Sequence, residues 1–447
     1  MIKAPEVNDR GHQVFGGCDV VALAEQYGTP LMLLDESAIR RRCREYQQAL
    51  GSRFSSSRVI YAGKAFLCVG MCRLIESEGL SLDVVSGGEL ATAMAAGFPP
   101  DRVWFHGNNK SSDELRAGLH HSIARFVVDS FDEIERLDAL ASEANLIADV
   151  QIRVTPGIKP STHSYIQTGQ VDSKFGFAVG SGLALEAVKR VLALPSLRLR
   201  GIHCHIGSQI HEIASYAAEV EALVDFLVSV GGACDWTASE LNLGGGLGIA
   251  YLPADQPPSV DSYAGLLEAS LRAHWPRVGG ALPTVMVEPG RSIVGEAGIT
   301  IYRVGTIKDI PAVRTYASVD GGMTDNLRVA LYQARYHGIL ANRAGERATA
   351  KVSIAGKCCE TGDMIAWDLD LPPVARGDLL TIFSTGAYHY AMASNYNRLP
   401  RLPVVLVGDG RAEVLVRRET YQDVMSLDQM PSSLFGETGK SRERNAS

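Results

Sequence analysis

The chain has 447 residues, of which 46% are hydrophobic and 21% charged, as in an ordinary water-soluble globular protein. This length suffices for two domains, or for one large barrel with an appendage. The net charge of −7 disfavours general binding to nucleic acid or another polyanion. No apolar run approaches the roughly 18 residues of a membrane-spanning helix, and no signal peptide is evident, so we expect a cytoplasmic protein without a membrane partner.

Eight cysteines are spread over the chain, and none belongs to a C-x-x-C pair. A zinc ribbon or a thioredoxin-like redox site is therefore not indicated. In a chain without a signal peptide, we expect these thiols to be reduced and structural. Cys359 is the exception, because it lies in a dense polar patch that is considered separately below.

The first predicted elements are a strand at 29–35 and an Arg-rich amphipathic helix at 36–50, with Asp35 or Ser37 as its N-cap. Short apolar, β-branched runs then recur along the chain, and each of them predicts a strand. These eight runs lie at 58–63, 80–86, 103–106, 125–129, 150–154, 200–206, 240–243 and 285–287.

Helix-like stretches separate most of these strands. They lie at 88–96, 111–119, 132–143, 183–194 and 215–230. Eight strands that alternate with helices predict parallel βα units, and over about 250 residues they predict a TIM-like (β/α)8 barrel. An open doubly wound sheet is the alternative architecture, because a sequence does not show whether a sheet closes.

The pattern changes after residue 290, where strand-like runs are joined by Gly, Pro and Asp turns. These runs lie at 300–310, 314–319, 348–354, 379–384, 403–407 and 411–417. They predict a second, all-β domain, which the N-terminal strand could also join. The predicted division is a barrel at 36–293, a β domain made of 1–35 and 294–435, and a polar, disordered tail at 436–447.

Lys64 ends the first predicted barrel strand, within the apolar stretch 59–67. A lysine in such surroundings most simply extends its ammonium to solvent or pairs with a carboxylate. Alternatively, it is an amine with a lowered pKa that forms a Schiff base, as enzymes that use pyridoxal phosphate (PLP) require. Because active sites of (β/α)8 barrels lie at the C-terminal strand ends, the residues at the other strand ends decide between these interpretations.

A glycine run, Gly244–Gly248, follows the seventh predicted strand. Without side chains, its backbone N–H groups could approach an anion such as a phosphate. The run fits neither the dinucleotide-binding pattern nor a P-loop. A tight turn without any ligand explains this run equally well when it is taken alone.

His203 and His205 lie two positions apart and so face the same side of the sixth strand. They could hold zinc or be ordinary core histidines, but the other strand ends supply no further ligands, which disfavours a metal site. Glu288 and Arg291 follow the eighth strand and could form an ion pair. In a PLP site, the carboxylate would instead keep the pyridine nitrogen protonated, and the arginine would bind a substrate carboxylate.

The second domain contains three further patches in which glycine, acidic residues, arginine and tyrosine crowd between strands. They lie at 320–332, 356–363 and 385–388. Turn chemistry alone explains such crowding weakly, and loops of this composition often carry function.

The chain resembles the diaminopimelate decarboxylase family, which are PLP enzymes of the alanine-racemase-like barrel class that also contains ornithine and arginine decarboxylases. The resemblance extends from about residue 29 to about residue 423, and Gly63 and Val329 depart from the common pattern without touching a chemical group. The motifs that carry it are at 61–65, 83–89, 105–110, 168–170, 173–176, 205–209, 244–246, 288–291, 320–332, 359–363 and 386–388.

The resemblance implies how the cofactor would be bound. Lys64 would join PLP covalently, His205 would stack on its ring, and Glu288 would pair with its ring nitrogen. Ser208 and the backbone of Gly244, Gly245 and Gly246 would bind the phosphate. These roles agree with the chemistry of the residue types, because PLP needs an amine, a ring-facing acid and an anion site.

The resemblance also implies the substrate contacts. Arg291, Arg328 and Tyr332 would bind the distal carboxylate, and Glu360 the region of the distal amine. Tyr388 would contact both the cofactor and the substrate. Two arginines suit a substrate with a second carboxylate, whereas an enzyme that acts on ornithine needs an acidic group there.

Cys359, supplied by a partner subunit in this family, would donate a proton to the carbon that has lost CO2. A homodimer with shared active sites is therefore expected. The implied activity is decarboxylation of meso-diaminopimelate to L-lysine, the last step of lysine biosynthesis. The alternatives are another basic amino acid decarboxylase or a racemase of the same fold, or a non-catalytic PLP-binding relative; a racemase would be expected to use tyrosine as its second acid.

Overall fold

The computed structural model describes residues 5–158 and 173–434. The motif at 168–170 and the predicted tail at 436–447 lie outside these residues. The strands are β1 (Glu6–Val7), β2 (Gln13–Phe15), β3 (Cys18–Asp19), β4 (Leu31–Asp35), β5 (Ser57–Ala62), β6 (Ser81–Val84), β7 (Val103–Phe105), β8 (Arg125–Val128), β9 (Ala148–Thr155), β10 (Phe177–Ala178), β11 (Leu197–His203), β12 (Glu240–Asn242), β13 (Thr284–Val287), β14 (Gly298–Ile310), β15 (Arg314–Val319), β16 (Gly338–Leu340), β17 (Ala350–Ala355), β18 (Met364–Leu371), β19 (Leu379–Phe383), β20 (Val404–Gly408) and β21 (Arg411–Val416).

Twelve α-helices accompany these strands in the described part of the chain. They are α1 (Val20–Tyr27), α2 (Glu36–Gly51), α3 (Val69–Ser77), α4 (Gly87–Ala95), α5 (Ser112–His121), α6 (Phe131–Glu143), α7 (Leu183–Ala193), α8 (Ala214–Ala233), α9 (Val260–His274), α10 (Arg291–Val294), α11 (Arg328–Tyr332) and α12 (Tyr421–Met425). None of the described helices is long and apolar enough to cross a membrane.

Eight parallel strands form a closed barrel in the order β9, β11, β12, β13, β5, β6, β7, β8. The barrel closes because β8 pairs with β9, with Phe126 opposite Val150. All eight predicted barrel strands are confirmed, and closure excludes the alternative open sheet. The carboxyl ends of these strands therefore share one mouth, where the site of such a barrel lies.

Each barrel helix forms where a capping residue precedes an apolar stripe. In α6, Ser130 accepts a hydrogen bond from the Glu133 backbone N–H and thus caps the first turn. Ile134, Leu137 and Ala141 follow at helical spacing and are completely buried against the barrel. Burial of each of the two larger side chains contributes roughly 1.5–3 kcal/mol.

The second domain is built around the 13-residue strand β14, which pairs antiparallel with β4, β15 and β19. The N-terminal strand β4 also pairs parallel with β20, so it belongs to this β-rich domain as predicted. The Asp35 side chain at the end of β4 accepts the Ala38 N–H and caps α2, which confirms Asp35 rather than Ser37 as the N-cap. The exact division at residues 36 and 293 stays a prediction.

Candidate active site

A cavity of 430 Å³ lies at the mouth of the barrel. Seven of the predicted site residues line it, together with Arg153 of β9 and residues from four other segments. The lining consists of Lys64, Val85, His106, Gly107, Asn108, Arg153, Phe175, His205, Ser208, Arg291, Arg328, Tyr332, Tyr388 and Met392.

Lys64 lies in a 3-10 turn, Gly63–Ala65, directly after β5. Its side chain is 40% exposed, and its Nζ lies 3.8 Å from Oδ2 of Asp83. Burial would lower the pKa of Lys64, but the nearby Asp83 carboxylate, with Tyr388 and Glu288, raises it above the usual value. The expectation of a lowered pKa is therefore wrong for the protein alone, because a carboxylate lies beside the amine.

Asp83 is a completely buried carboxyl group on β6. Neither of its oxygens has a hydrogen-bond partner among the described residues. Burial raises its pKa, which His106 and Lys64 partly offset. A buried acid without a hydrogen bond is costly, so its position beside the amine calls for a functional explanation.

Glu288 follows β13 and lies below the cavity, in a network of polar side chains. Its Oε1 accepts a hydrogen bond from Asn242 Nδ2 at 2.8 Å and lies 2.9 Å from His106 Nε2. Its Oε2 lies 3.0 Å from His203 Nε2. Although burial opposes ionisation, His106 and His203 hold the pKa of Glu288 well below its usual range. Glu288 is therefore a buried carboxylate and forms no ion pair with Arg291.

His205 reaches the cavity, whereas His203 lies beneath it. Burial, with Lys64 and Arg153 nearby, holds the pKa of His205 well below its usual value. Burial also lowers the pKa of His203 to about 4. Both imidazoles are thus neutral at physiological pH. A neutral ring that lines the cavity can stack on a flat ligand, while His203 supports Glu288.

The three glycines Gly244, Gly245 and Gly246 are required by close backbone packing. A Cβ atom at these positions would lie 2.4, 2.1 and 2.3 Å from the carbonyl oxygens of Cys204, Glu288 and Gly207. The N–H of Gly244 donates to Asn242 Oδ1 at 3.0 Å, and that of Gly245 to His205 Nδ1 at 3.3 Å. Packing alone therefore accounts for the run, and phosphate binding there stays a prediction.

Arg291 begins α10 and is 5% exposed. Its guanidinium donates to Ser208 Oγ at 3.3 Å from Nε and at 3.0 Å from Nη2. It also donates to the Tyr251 hydroxyl, and its centre lies 4.7 Å from the centroid of the Tyr388 ring. These contacts fix the cation at the cavity wall.

Arg328 is a second buried arginine, 6% exposed, contributed by α11 of the β domain. It donates from Nε to the Tyr336 hydroxyl at 2.9 Å, and its guanidinium lies 5.4 Å from the centroid of the Tyr332 ring. Tyr388 has a left-handed backbone, with φ of 61°, and its N–H donates to the carbonyl of Ala65 at 2.8 Å. This strained residue thus joins the β domain to the Lys64 turn.

Six predicted site residues do not line the cavity. Glu288 and the glycines Gly244–Gly246 belong to the barrel strand ends, whereas Cys359 and Glu360 lie on a loop of the β domain. Both are exposed, on the loop between β17 and β18. The Cys359 N–H donates to Asn397 Oδ1 at 2.7 Å, and the Tyr396 hydroxyl lies 3.5 Å from Glu360 Oε2. In a single chain, the loop therefore presents its thiol to the outside.

The loop that carries Cys359 is nevertheless held firmly at its base. The Asp363 carboxylate accepts the backbone N–H groups of Cys358 at 2.7 Å and Met323 at 2.5 Å. Asp363 is only 3% exposed. All eight cysteines are free thiols, and Cys359 is the one among them that is exposed.

Sequence reasoning missed several side chains of the site. They are Asp83, His106, Arg153, Asn242 and Tyr251, and they come from four barrel strands or strand ends and one loop. Two of them had a visible signal, because Asp83 interrupts an apolar strand and His106 directly follows one. Which of these residues face one another depends on the closed barrel and is not visible in the sequence.

His106, His203 and Glu288 also form a set of potential metal ligands, whose donor atoms lie within 4.8 Å of one another. The sequence suggested His203 and His205 as potential metal ligands. In the structure, His106 takes the place of His205 in this set. The prediction that the protein uses no metal is not tested by this geometry. Asn242 also donates to the Glu288 carboxylate, and the Lys64 amine belongs to the same site. This carboxylate could therefore pair with the protonated nitrogen of an organic ring as well as with a metal cation.

The residues present fit PLP. The cavity offers an amine, a neutral imidazole beside it, and a buried carboxylate beneath, while Asp83 is left with two unpartnered oxygens. Arg153, Arg291 and Arg328 make the wall cationic, as a phosphate and carboxylate groups require. This donor set matches the amine, ring acid and anion site of a PLP enzyme.

Comparison with known proteins supports this interpretation at two levels. Residues 36–295 match the family model described as pyridoxal-dependent decarboxylase, pyridoxal binding domain. The barrel and its site thus define the class, a PLP-dependent amino acid decarboxylase.

Individual relatives narrow the class. The chain is 50% identical to diaminopimelate decarboxylase of Bacillus subtilis (strain 168) over 94% of this chain and 96% of the relative. It is 46% identical to the Mycobacterium leprae enzyme of the same name, over 94% and 90%. The structure of diaminopimelate decarboxylase from M. jannaschii in complex with L-lysine has 35% identity and a TM-score of 0.90, covering 97% and 99%. The chain belongs to the diaminopimelate decarboxylase family.

Proposed function

We propose that this chain removes CO2 from meso-diaminopimelate and yields L-lysine, in the last step of lysine biosynthesis in the cytoplasm. The observation that carries the proposal is the pair of buried arginines, Arg291 and Arg328, on the wall of a cavity that also holds Lys64. Among the described residues that line this cavity, none is acidic. Such a wall suits a substrate with a second carboxylate and disfavours ornithine.

In the proposed binding of PLP, most contacts come from the barrel, and Tyr388 of the β domain adds one. Lys64 would hold the aldehyde carbon, His205 would stack on the ring, and Glu288 would pair with the ring nitrogen. Ser208, with the backbone of Gly244–Gly246, binds the phosphate. The bound cofactor supplies an electron sink for the charge that remains when CO2 leaves.

The chain's own residues prepare this chemistry. His106, His203 and Asn242 surround Glu288 and keep it ionised, so that it can favour a protonated nitrogen above it. The buried guanidinium groups orient the substrate by its distal carboxylate, which leaves the reacting carboxylate to be placed by the rest of the wall. Tyr332 and Tyr388 extend the wall towards the substrate. Glu360, which does not line the cavity of its own chain, would reach the region of the distal amine from a second copy.

The proton that replaces CO2 comes, in this proposal, from Sγ of Cys359. The thiol is exposed on its own chain and does not line its own cavity, which supports its use by a second copy. A homodimer with shared sites would then be the active form. Mixing a Lys64→Ala chain with a Cys359→Ala chain tests this, since hybrid dimers contain one intact site and should regain activity, whereas sites within single chains would give none.

A substrate panel tests the chemistry itself. CO2 release is measured with meso-diaminopimelate, ornithine, arginine and lysine, and the chirality of the product is determined. We expect turnover of diaminopimelate alone, with L-lysine as product. Activity confined to a substrate with a single carboxylate would refute the assignment. A yellow, PLP-loaded protein without any turnover would instead identify a non-catalytic relative.

A further inference from the structure

The interior of the barrel contains a row of polar side chains beneath Glu288. Gln151 of β9 and Asn242 of β12 are completely buried. Glu240 is the first residue of β12, is 7% exposed and lies at the N-terminal face of the barrel. The inside of such a barrel is usually filled by branched apolar side chains. A polar row in their place therefore calls for an explanation, because buried polar groups are stable only when they are fully hydrogen-bonded.

These side chains form one continuous chain of hydrogen bonds. Asn242 Nδ2 donates to Glu288 Oε1 at 2.8 Å and to Gln151 Oε1 at 3.3 Å. Gln151 Nε2 donates in turn to Glu240 Oε2 at 2.8 Å. Arg125 of β8 donates from Nε to the same Glu240 oxygen at 2.9 Å. The chain thus spans the barrel from the active-site mouth to the opposite face.

The direction of each hydrogen bond in this chain is determined by its ends. A carboxylate only accepts hydrogen bonds, so Gln151 must turn its amide N–H groups towards Glu240 and its carbonyl oxygen towards Asn242. Asn242 Oδ1 accepts the Gly244 N–H at 3.0 Å, which leaves its two amide hydrogens for Gln151 and Glu288. Neither amide can flip without leaving a buried polar group unpaired, which is costly.

Asn242 connects two parts of the proposed cofactor site. Its amide hydrogens reach Glu288, the proposed partner of the ring nitrogen. Its oxygen holds the backbone of Gly244, the first residue of the proposed phosphate-binding run. A rotation of this single side chain would disturb both parts. Gln151 opposes that rotation from below, because it accepts the second amide hydrogen.

We propose that Gln151 is a positioning residue for the cofactor and acts through Asn242. Its own orientation is set by the Glu240 carboxylate at the far end of the chain. Gln151 does not line the cavity, so it holds the Asn242 amide without touching substrate or cofactor. The inference rests on the proposed function for the identity of the cofactor. It goes beyond that function because it gives the polar interior of the barrel a role in cofactor binding.

The substitution Gln151→Met tests this role, because methionine keeps the length of glutamine but has no amide. The dissociation constant of PLP is measured by titrating the cofactor-free protein with PLP. It should rise about tenfold, which corresponds to one hydrogen bond lost from a buried network. With diaminopimelate as substrate, kcat should fall, whereas KM should be unchanged because Arg291 and Arg328 do not belong to the chain of hydrogen bonds.

Gln13→Met is the matched control. Gln13 of β2 is 1% exposed, and its Oε1 accepts a hydrogen bond from Thr381 Oγ1 at 2.6 Å. This substitution also removes a buried amide, so it should lower the melting temperature to a similar extent. It should leave the PLP dissociation constant and kcat unchanged. Equal loss of PLP affinity in the two variants would show that Gln151 only stabilises the fold, and would refute the proposal.

A double-mutant cycle with Asn242→Ala shows whether Gln151 acts through Asn242. Gln151→Met should have almost no further effect on the PLP dissociation constant when residue 242 is already alanine, because the two side chains act in series. Additive effects would contradict the proposal. Glu240→Gln keeps the shape but allows the Gln151 amide to flip, so it should raise the PLP dissociation constant in the same direction. It takes the place of Gln151→Met in the cycle if that variant does not fold, and an unchanged constant would then refute the role.

The substrate panel separates failure of this inference from failure of the proposed function. If the wild type releases CO2 from diaminopimelate while Gln151→Met binds PLP as tightly as the wild type, the proposed function stands and only the positioning role fails. If the wild type binds PLP but acts on another substrate, the proposed activity fails, and the PLP dissociation constants still decide the role of Gln151. A wild type that binds no PLP would overturn both.

Discussion

The barrel mouth and the Cys359 loop are assembled in opposite ways. At the mouth, Lys64, Glu288 and their neighbours are oriented by eight strand ends and by buried histidines, all within one chain. The Cys359 loop is anchored at its base by Asp363, yet its thiol is exposed and outside the cavity. In the proposed function this difference separates two tasks, because the residues proposed to bind the cofactor all belong to one chain, whereas the proposed proton donor would act on a second copy.

The largest effect is expected from Lys64→Ala, which removes the amine of the mouth. Turnover should fall by at least about 1000-fold, because covalent binding of the aldehyde is lost. CO2 release measures turnover, and borohydride fixation of the cofactor to the chain measures the covalent binding. Lys351→Ala, which removes an exposed lysine paired with Asp370, is the control and should have no effect. Undiminished fixation without Lys64 would show that the mouth is not where the cofactor binds.

Cys359→Ala should separate the two regions. The rate should fall about 10²- to 10⁴-fold, which is the usual contribution of a positioned acid. The yellow absorbance should be retained, because none of the residues proposed to bind PLP lies on this loop. Cys234→Ala, at a half-buried thiol on the end of α8, is the matched control. Loss of the chromophore in the Cys359 variant would contradict this division of labour.

Glu288→Gln tests whether the charge beneath the mouth matters, as distinct from its shape. A glutamine amide would turn a donor towards His106, His203 or Asn242, which now surround a carboxylate. We expect kcat to fall about 100-fold, in the range found when one electrostatic group of an active site is removed. Glu135→Gln serves as the control, because Glu135 of α6 is exposed and forms an ion pair with Arg190 of α7. An unchanged kcat would mean that Glu288 only supports the barrel.

The sequence predicted the mouth better than the surface around it. The eight barrel strands carry β-branched runs of the right length, so their positions followed from local pattern. The edge strand β18 was missed, because its exposed residues, including Trp367, break the alternation. The helices α3 and α9 were also not predicted; in α3, Cys68 is the N-cap, which is not one of the usual capping residues.

Site residues that directly follow a strand could be found from the sequence, whereas site residues whose role depends on their neighbours in space could not. Apolar runs that predict a strand end lie beside Lys64, His205 and Glu288. The pairing of Asp83 with Lys64 depends on the register of β5 against β6, where Ala62 lies opposite Asp83. The raised pKa of Lys64 follows from that pairing with Asp83 and therefore required the structure.

The smallest expected effect is on stability and concerns a buried acid of α8. Glu219 is completely buried, and the Cys204 thiol, a weak hydrogen-bonding group, is the polar side chain beside its carboxyl group. Burial raises its pKa from the usual 4.5 to about 8. The folded protein therefore holds a proton that the unfolded chain has lost between these values, so this group's contribution to stability falls as pH rises through that interval.

Glu219→Gln removes this titration while keeping a similar shape. The free energy of unfolding of the variant, relative to that of the wild type, should increase by about 1.4 kcal/mol for each pH unit in that interval. Denaturant titrations at about pH 6 and about pH 8 measure this difference. Glu221→Gln, at an exposed position of the same helix, should show no such trend. A difference that stays constant with pH would mean that Glu219 is ionised in the folded protein.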